Sequence, residues 1–149
     1  ERARAELVFA GLVALQEEHL GADHGMTLRS LGNLAQTRFE LGLHEDTPVL
    51  VTELAQRQSG TLPADHYAHG TTLQLTGRCH EALGRPELAE SLLVEGACHL
   101  LSSLGAGHPR AAESVGQVIA FYESRGRPAD TRLWREAVET GESVGALCR

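Results

Sequence analysis

Three histidines, His24, His66 and His108, recur at an interval of 42 residues. The same interval links Leu20, Leu62 and Leu104, then Ala22, Ala64 and Ala106, and again Gly42, Gly84 and Gly126. Columns that share one register define an internal repeat. A repeat of this length restricts the fold to a stack of like units, because one unit cannot bury its apolar face alone and must lay it against its neighbours.

Each unit opens with a short segment: Leu20-Gly21-Ala22-Asp23-His24, Leu62-Pro63-Ala64-Asp65-His66 and Leu104-Gly105-Ala106-Gly107-His108. A helical stretch follows and ends at the recurring glycine, which accepts the left-handed backbone that commonly terminates a helix. A second helix then begins at Glu45-Asp46-Thr47-Pro48, Arg85-Pro86-Glu87 and Arg127-Pro128-Ala129-Asp130. Proline suits a first turn, and acids there complement the helix dipole. The pattern predicts seven helices, over 3–18, 25–41, 45–59, 67–83, 86–103, 109–125 and 129–146.

Apolar columns support this reading. Val8, Leu50, Leu92 and Trp134 share one position of the second helices, and Leu12, Leu54, Gly96 and Val138 follow four residues on, hence on the same face. On the first helices the columns are Leu31, Leu73 and Val115, then Leu34, Thr76 and Val118, then Ala35, Gly77 and Ile119. Small residues in the last column let helices approach closely. The N-terminal segment matches a second helix only, so the array opens half a unit in. The expected organisation is one repeat domain over 1–149, with a truncated unit at 1–19, repeats at 20–61 and 62–103, and a third repeat with its cap at 104–149.

Composition narrows the function. Thirteen basic against 20 acidic residues give a net charge of −7. Surfaces that bind nucleic acid or anionic membranes are basic, so neither partner is expected. Few aromatics and many Leu, Ala, Glu and Arg residues favour helix over strand. The apolar stretch Leu7 to Leu15 is too short to span a bilayer and lacks the layout of a signal peptide. The chain starts at Glu1, and we read it as part of a longer protein. Three cysteines, Cys79, Cys98 and Cys148, show no paired spacing, so thiols in a reducing, cytoplasmic compartment are the expectation.

The run Thr27-Leu28-Arg29-Ser30-Leu31-Gly32-Asn33-Leu34-Ala35, with Gly42 after it and the Asp-His loop before it, resembles the kinesin-light-chain type of tetratricopeptide repeat (TPR). Gly84-Arg85-Pro86-Glu87-Leu88-Ala89-Glu90-Ser91-Leu92-Leu93 is similar to that family's second-helix opening. The stretch from Gly105 to Trp134 resembles the closing repeat of arrays attached to bacterial serine/threonine protein kinases. The resemblance implies an all-α, right-handed α-solenoid of antiparallel helical hairpins, about three and a half repeats long. It also implies a scaffold for protein or peptide partners in a larger bacterial signalling protein. Two positions depart from the family: Thr47 and Thr131 replace an expected alanine, and the late aromatic position of the first helix holds Arg38, His80 and Tyr122. HEAT and armadillo repeats also have periods in the forties; the glycine turn and Asp-His loop favour the TPR form.

The residues that could carry chemistry have simpler roles. Equivalent positions of stacked repeats lie about 8–10 Å apart per packed helix pair, whereas zinc ligands sit about 2 Å from the ion. His24, His66 and His108 therefore read as caps or loop fasteners, the first two together with Asp23 and Asp65. Cys79-His80 and Cys98-His99 look like duplicated ligand pairs. Across the Gly84 turn, however, the two cysteines differ in height by about 13 Å, which suits neither a shared metal nor a mutual disulfide. No nucleophile–base arrangement, phosphate-binding loop or zinc-protease motif is present. Catalytic residues, cofactors and metals are all expected to be none.

First helices line the concave side of such an array, so binding belongs there. The candidate groove residues are Arg29, Asn33, Gln36, Gln74, Arg78, Glu81, Glu113 and Gln117. Their amides carry both donors and an acceptor and can clamp a peptide backbone. Family analogy gives Asn33 that part; its counterparts are Leu75 and Gln117. Arg29, Gln74 and Arg78 suggest an acidic or carboxylate-bearing segment. The competing functions are a peptide sensor that changes the curvature of the array and, more remotely, a histidine-based metal protein. An uncovered apolar face near Val8 and Leu12 suggests self-association at the N-terminal end.

Overall fold

The computed structural model describes residues 2–140 and 147–148. Among them are seven helices and no strand: α1 (Arg2–Leu20), α2 (Gly25–Glu40), α3 (Thr47–Thr61), α4 (Tyr67–Ala82), α5 (Pro86–Leu104), α6 (Pro109–Ser124) and α7 (Pro128–Thr140). Each packs on the next in the chain, and α2 also touches α4. This is an α-solenoid of helical hairpins. The expected continuation of the last helix to 146 and the burial of Val138 lie outside the described residues. No described helix is long and apolar enough to cross a membrane.

The repeated loop residues set the boundaries. His24, His66 and His108 are the N-caps of α2, α4 and α6, and each Nδ1 accepts from the backbone N–H two residues on, at 3.2, 3.2 and 3.1 Å. An imidazole here does what Ser, Asp or Asn usually does at a helix start. The aspartate carboxylates take no part in the cap: Asp23 and Asp65 are exposed, their carboxylates make no hydrogen bond among the described residues, and the Asp65 carbonyl accepts from Ser103 Oγ at 2.8 Å. At the other end Gly42, Gly84 and Gly126 have φ of +80°, +70° and +65°. The N–H of the following residue reaches back to Arg38, His80 and Tyr122 carbonyls, closing the same left-handed cap three times.

Thr47 and Thr131, the departures from alanine, are buried and send their hydroxyls back to the Leu43 and Arg127 carbonyls. That local bond lets a small hydroxyl sit in an apolar place. The core is divided along the array. Leu28, Leu31, Leu34 and Leu54 join Val13. Ala35, Val51, Leu75 and Cys79 form the seam to α4. The largest cluster runs from Ala89 through Val115 and Phe121 to Trp134. The column of Val8, Leu50, Leu92 and Trp134 grows more buried along the chain: Val8 is exposed, the two leucines half-buried and Trp134 buried.

One expectation is overturned. Cys98 and Cys148 form a disulfide, with Cα atoms 5.4 Å apart and 50 residues between them in sequence. Spacing along the chain gave no sign of it, because the partner, Cys148, lies outside the repeat columns, beside Leu147, which packs on the large cluster. Cys79 is the free, buried thiol. Burial pushes its pKa up to about 11, partly opposed by the neighbouring Arg78 charge.

Candidate binding groove

The 42-residue register places equivalent positions of α2, α4 and α6 side by side, so side chains three and four apart on each helix look into one concavity. Its volume is about 260 Å³. Gln36 comes from α2, Gln74 and Arg78 from α4, and Glu113 and Gln117 from α6; these five of the eight expected residues line it. Thr71, Leu75, Leu100, Arg110 and Ser114 complete the lining. Buried Leu75 and Leu100 give it an apolar floor.

The other three expected residues fall elsewhere. Arg29 and Asn33 are exposed on α2 and are not part of this concavity. Glu81 turns to Arg125 at 2.9 Å and ties α4 to the end of α6. In the 42-residue column of Asn33, Leu75 supplies floor and Gln117 an amide in the groove.

Leu100, Arg110 and Ser114 are lining residues that sequence reasoning left out. Ser114 belongs to a visible column of small hydroxyl residues with Ser30 and Thr72, all buried. Arg110 lies in the first turn of α6, directly after Pro109, one turn before Glu113.

The polar groups are positioned by neighbouring helices. Gln36 donates to Glu40 at 2.8 Å and accepts from Arg78 at 3.3 Å, which links α2 to α4. The Arg78 guanidinium lies over the Phe39 ring at 4.4 Å, and that of Arg110 over the Tyr67 ring at 5.2 Å. Aromatic faces attract such cations yet leave their N–H groups available. Gln74 is only 5% exposed and donates through Nε2 to the Leu93 carbonyl at 2.6 Å. Thr72 on the same helix reaches the other way, to Gln58 Oε1 on α3 at 2.8 Å. The α4 wall is therefore bolted to both flanking helices before any ligand arrives.

The groove offers guanidinium and amide donors, amide and carboxylate acceptors, and a short apolar floor. His69 and His99, near it in sequence, spend their Nε2 atoms on the Pro63 and His66 carbonyls at 3.0 Å each.

Comparison with known proteins agrees with the fold. Two solved structures of nearly identical TPR-like repeats, from a kinesin-light-chain candidate of Podosopora anserina and a substituted variant of it, superpose with a TM-score of 0.77. Each is 21% identical to this chain and matches 95% of it and 67% of its own length. The chain thus has the fold of TPR-like repeats. No family model matches it, and no curated protein does.

Proposed function

We propose that this chain is a non-catalytic protein-interaction module that takes an extended peptide segment in the groove between α2, α4 and α6. We further read it as a single repeat domain of a larger bacterial signalling protein, such as a serine/threonine kinase. The observation that carries the binding reading is the convergence of Gln36, Gln74, Arg78, Glu113 and Gln117 on one concavity. Solenoids of helical hairpins generally use such concave surfaces for partners. Incubating the chain with a pool of ten-residue peptides, about that size to span the array, and sequencing the bound fraction tests it. Enrichment should be lost in Arg78→Glu and kept in Val49→Ser on the outer face. Enrichment that survives Arg78→Glu, or no enrichment at all, would sink the reading.

A second contact belongs to α1. Leu7, Val8 and Leu15 are 71%, 59% and 53% exposed on this one helix. Clustered apolar exposure of this kind marks association surfaces, and we read the N-terminal end as a site of self-association. Light scattering should show a dimer fraction that rises with concentration and disappears in Val8→Ser/Leu15→Ser; a monomer at every concentration would rule it out.

A further inference from the structure

The groove carries two acceptors that no donor meets among the described residues. Gln74 Nε2 is fixed on the Leu93 carbonyl, which orients the amide and leaves Oε1 shielded from solvent and unpartnered. Gln117 Oε1 is in the same condition. The 42-residue register puts these two glutamines within one residue of the same height on neighbouring helices. Buried acceptors are normally satisfied, and an exception calls for an explanation.

The charges around them are ordered along the helix axis. Arg110 lies lowest on α6. Glu113, exposed and without a partner among the described residues, is one turn higher. The two amides come next, and Arg78 stands about 15 Å above Arg110 at 1.5 Å per helical residue. Neither arginine forms an ion pair among the described residues; each rests on an aromatic ring. The groove is positive at both ends and rich in acceptors, with one negative charge, in the middle.

We infer that the groove selects a peptide segment bearing one basic side chain between two carboxylates. This rests on the peptide-binding reading above and specifies its ligand. The basic group donates to Gln74 Oε1, Gln117 Oε1 and the Glu113 carboxylate, and the flanking carboxylates meet Arg78 and Arg110. In an extended chain residues i, i+2 and i+4 share a face and span about 13 Å, which matches the separation of the arginines. A uniformly acidic segment would put a carboxylate against Glu113 and two acceptor oxygens. A uniformly basic one would face both arginines.

Fluorescence anisotropy with three labelled, end-blocked peptides tests this, with cores Glu-Ala-Lys-Ala-Glu, the same with norleucine for lysine, and Glu-Ala-Glu-Ala-Glu. The lysine peptide should bind about tenfold tighter than either of the others. Glu113→Gln, at an exposed position that does not endanger folding, should narrow that gap several-fold, as should Gln117→Leu in protein whose circular dichroism is unchanged. Equal affinity for the lysine and norleucine peptides would overturn the inference. So would tightest binding of the all-acidic peptide, although its loss in Arg78→Glu would leave the groove reading standing. Failure of all three peptides to bind overturns the inference as well, and the peptide-pool selection then decides separately whether the groove binds peptides at all.

Discussion

The hairpins α2/α3 and α4/α5 occupy equivalent places in the array and hold their helices together by opposite means. In the first, Leu28 and Leu54 fill the interface and are 4% and 3% exposed. At the same positions the second has Gly70 and Gly96. A Cβ on Gly70 would sit 3.0 Å from the Gly96 carbonyl oxygen, and one on Gly96 would sit 3.0 Å from both the Gly70 carbonyl oxygen and the Gln74 amide nitrogen. Gly77 likewise lies against Leu93, where its counterpart Ala35 is merely buried. The first hairpin therefore gains from apolar burial and the second from backbone proximity. Only the close approach brings Gln74 within reach of the Leu93 carbonyl, so the groove wall depends on the glycines behind it. A repeat column fixes a location, while the size of its occupant sets the distance between helices.

The largest effect should come from making the hairpins alike. Gly96→Leu installs the residue of the first hairpin but drives a side chain into backbone, and it should cost about 3 kcal/mol or more. Leu54→Ala, which leaves a cavity, should cost about 2–5 kcal/mol. Denaturant midpoints followed by circular dichroism give both. A Gly96→Leu protein as stable as the parent would break the comparison.

A smaller effect lies at the seam between the two hairpins, where Cys79 packs with Ala35, Val51 and Leu75. Its pKa in the fold, raised from 9.0 to about 11, means that the native state holds the thiol proton while the unfolded chain loses it. This contribution is fully present below pH 9 and is lost as pH rises toward 11, on the order of 2 kcal/mol. Tyr122, raised from 10.0 to about 12 by burial and its bond to Glu90, acts with the same sign at higher pH in the third hairpin. Thermal melts from pH 8 to 11 should decline for the parent, and Cys79→Ala should delay the onset to about pH 10. Identical curves would remove the seam from the account.

The smallest effect concerns how each hairpin is tied to the helix before it. Arg38 on α2 reaches Glu6 at 2.9 Å, and Tyr122 on α6 reaches Glu90 at 3.1 Å, both across 32 residues. The equivalent partner of His80 is Pro48, which offers no acceptor, and His80 Nδ1 is buried and unpartnered. Burial, helped by Arg85, lowers the His80 pKa below 6.5, so stability present above that pH is lost as pH falls through the lowered value. His80→Tyr should abolish this acid slope. Combined with Pro48→Glu it should show a coupling of about 0.5–1 kcal/mol in a double-mutant cycle; zero coupling would mean that the tie is decorative.

These residues also show what was legible in the sequence. The caps and turns were, because an imidazole at a helix start and a glycine at positive φ act locally and must recur wherever the local geometry recurs. Five groove residues were legible for the same reason, since a periodic helix face can be counted. Arg29 and Asn33 lie exposed on α2 outside this concavity, and Glu81 is held by Arg125, a partner 44 residues away that no repeat period points to. The Cys98–Cys148 bond was hidden altogether. It joins α5 to Cys148, which belongs to none of the repeat columns, and no repeat period describes a residue that occurs once.

That bond makes a covalent ring of the last third of the chain, with α6 and α7 inside it. Tension applied to the two ends of the array would bypass the ring through Cys98 and be borne by the helices before it. While the bond holds, a proteolytic nick at the exposed Gly126 turn opens the ring without detaching a fragment. The array is thus mechanically one-sided: it can be peeled from α1, and its far end comes loose only after reduction.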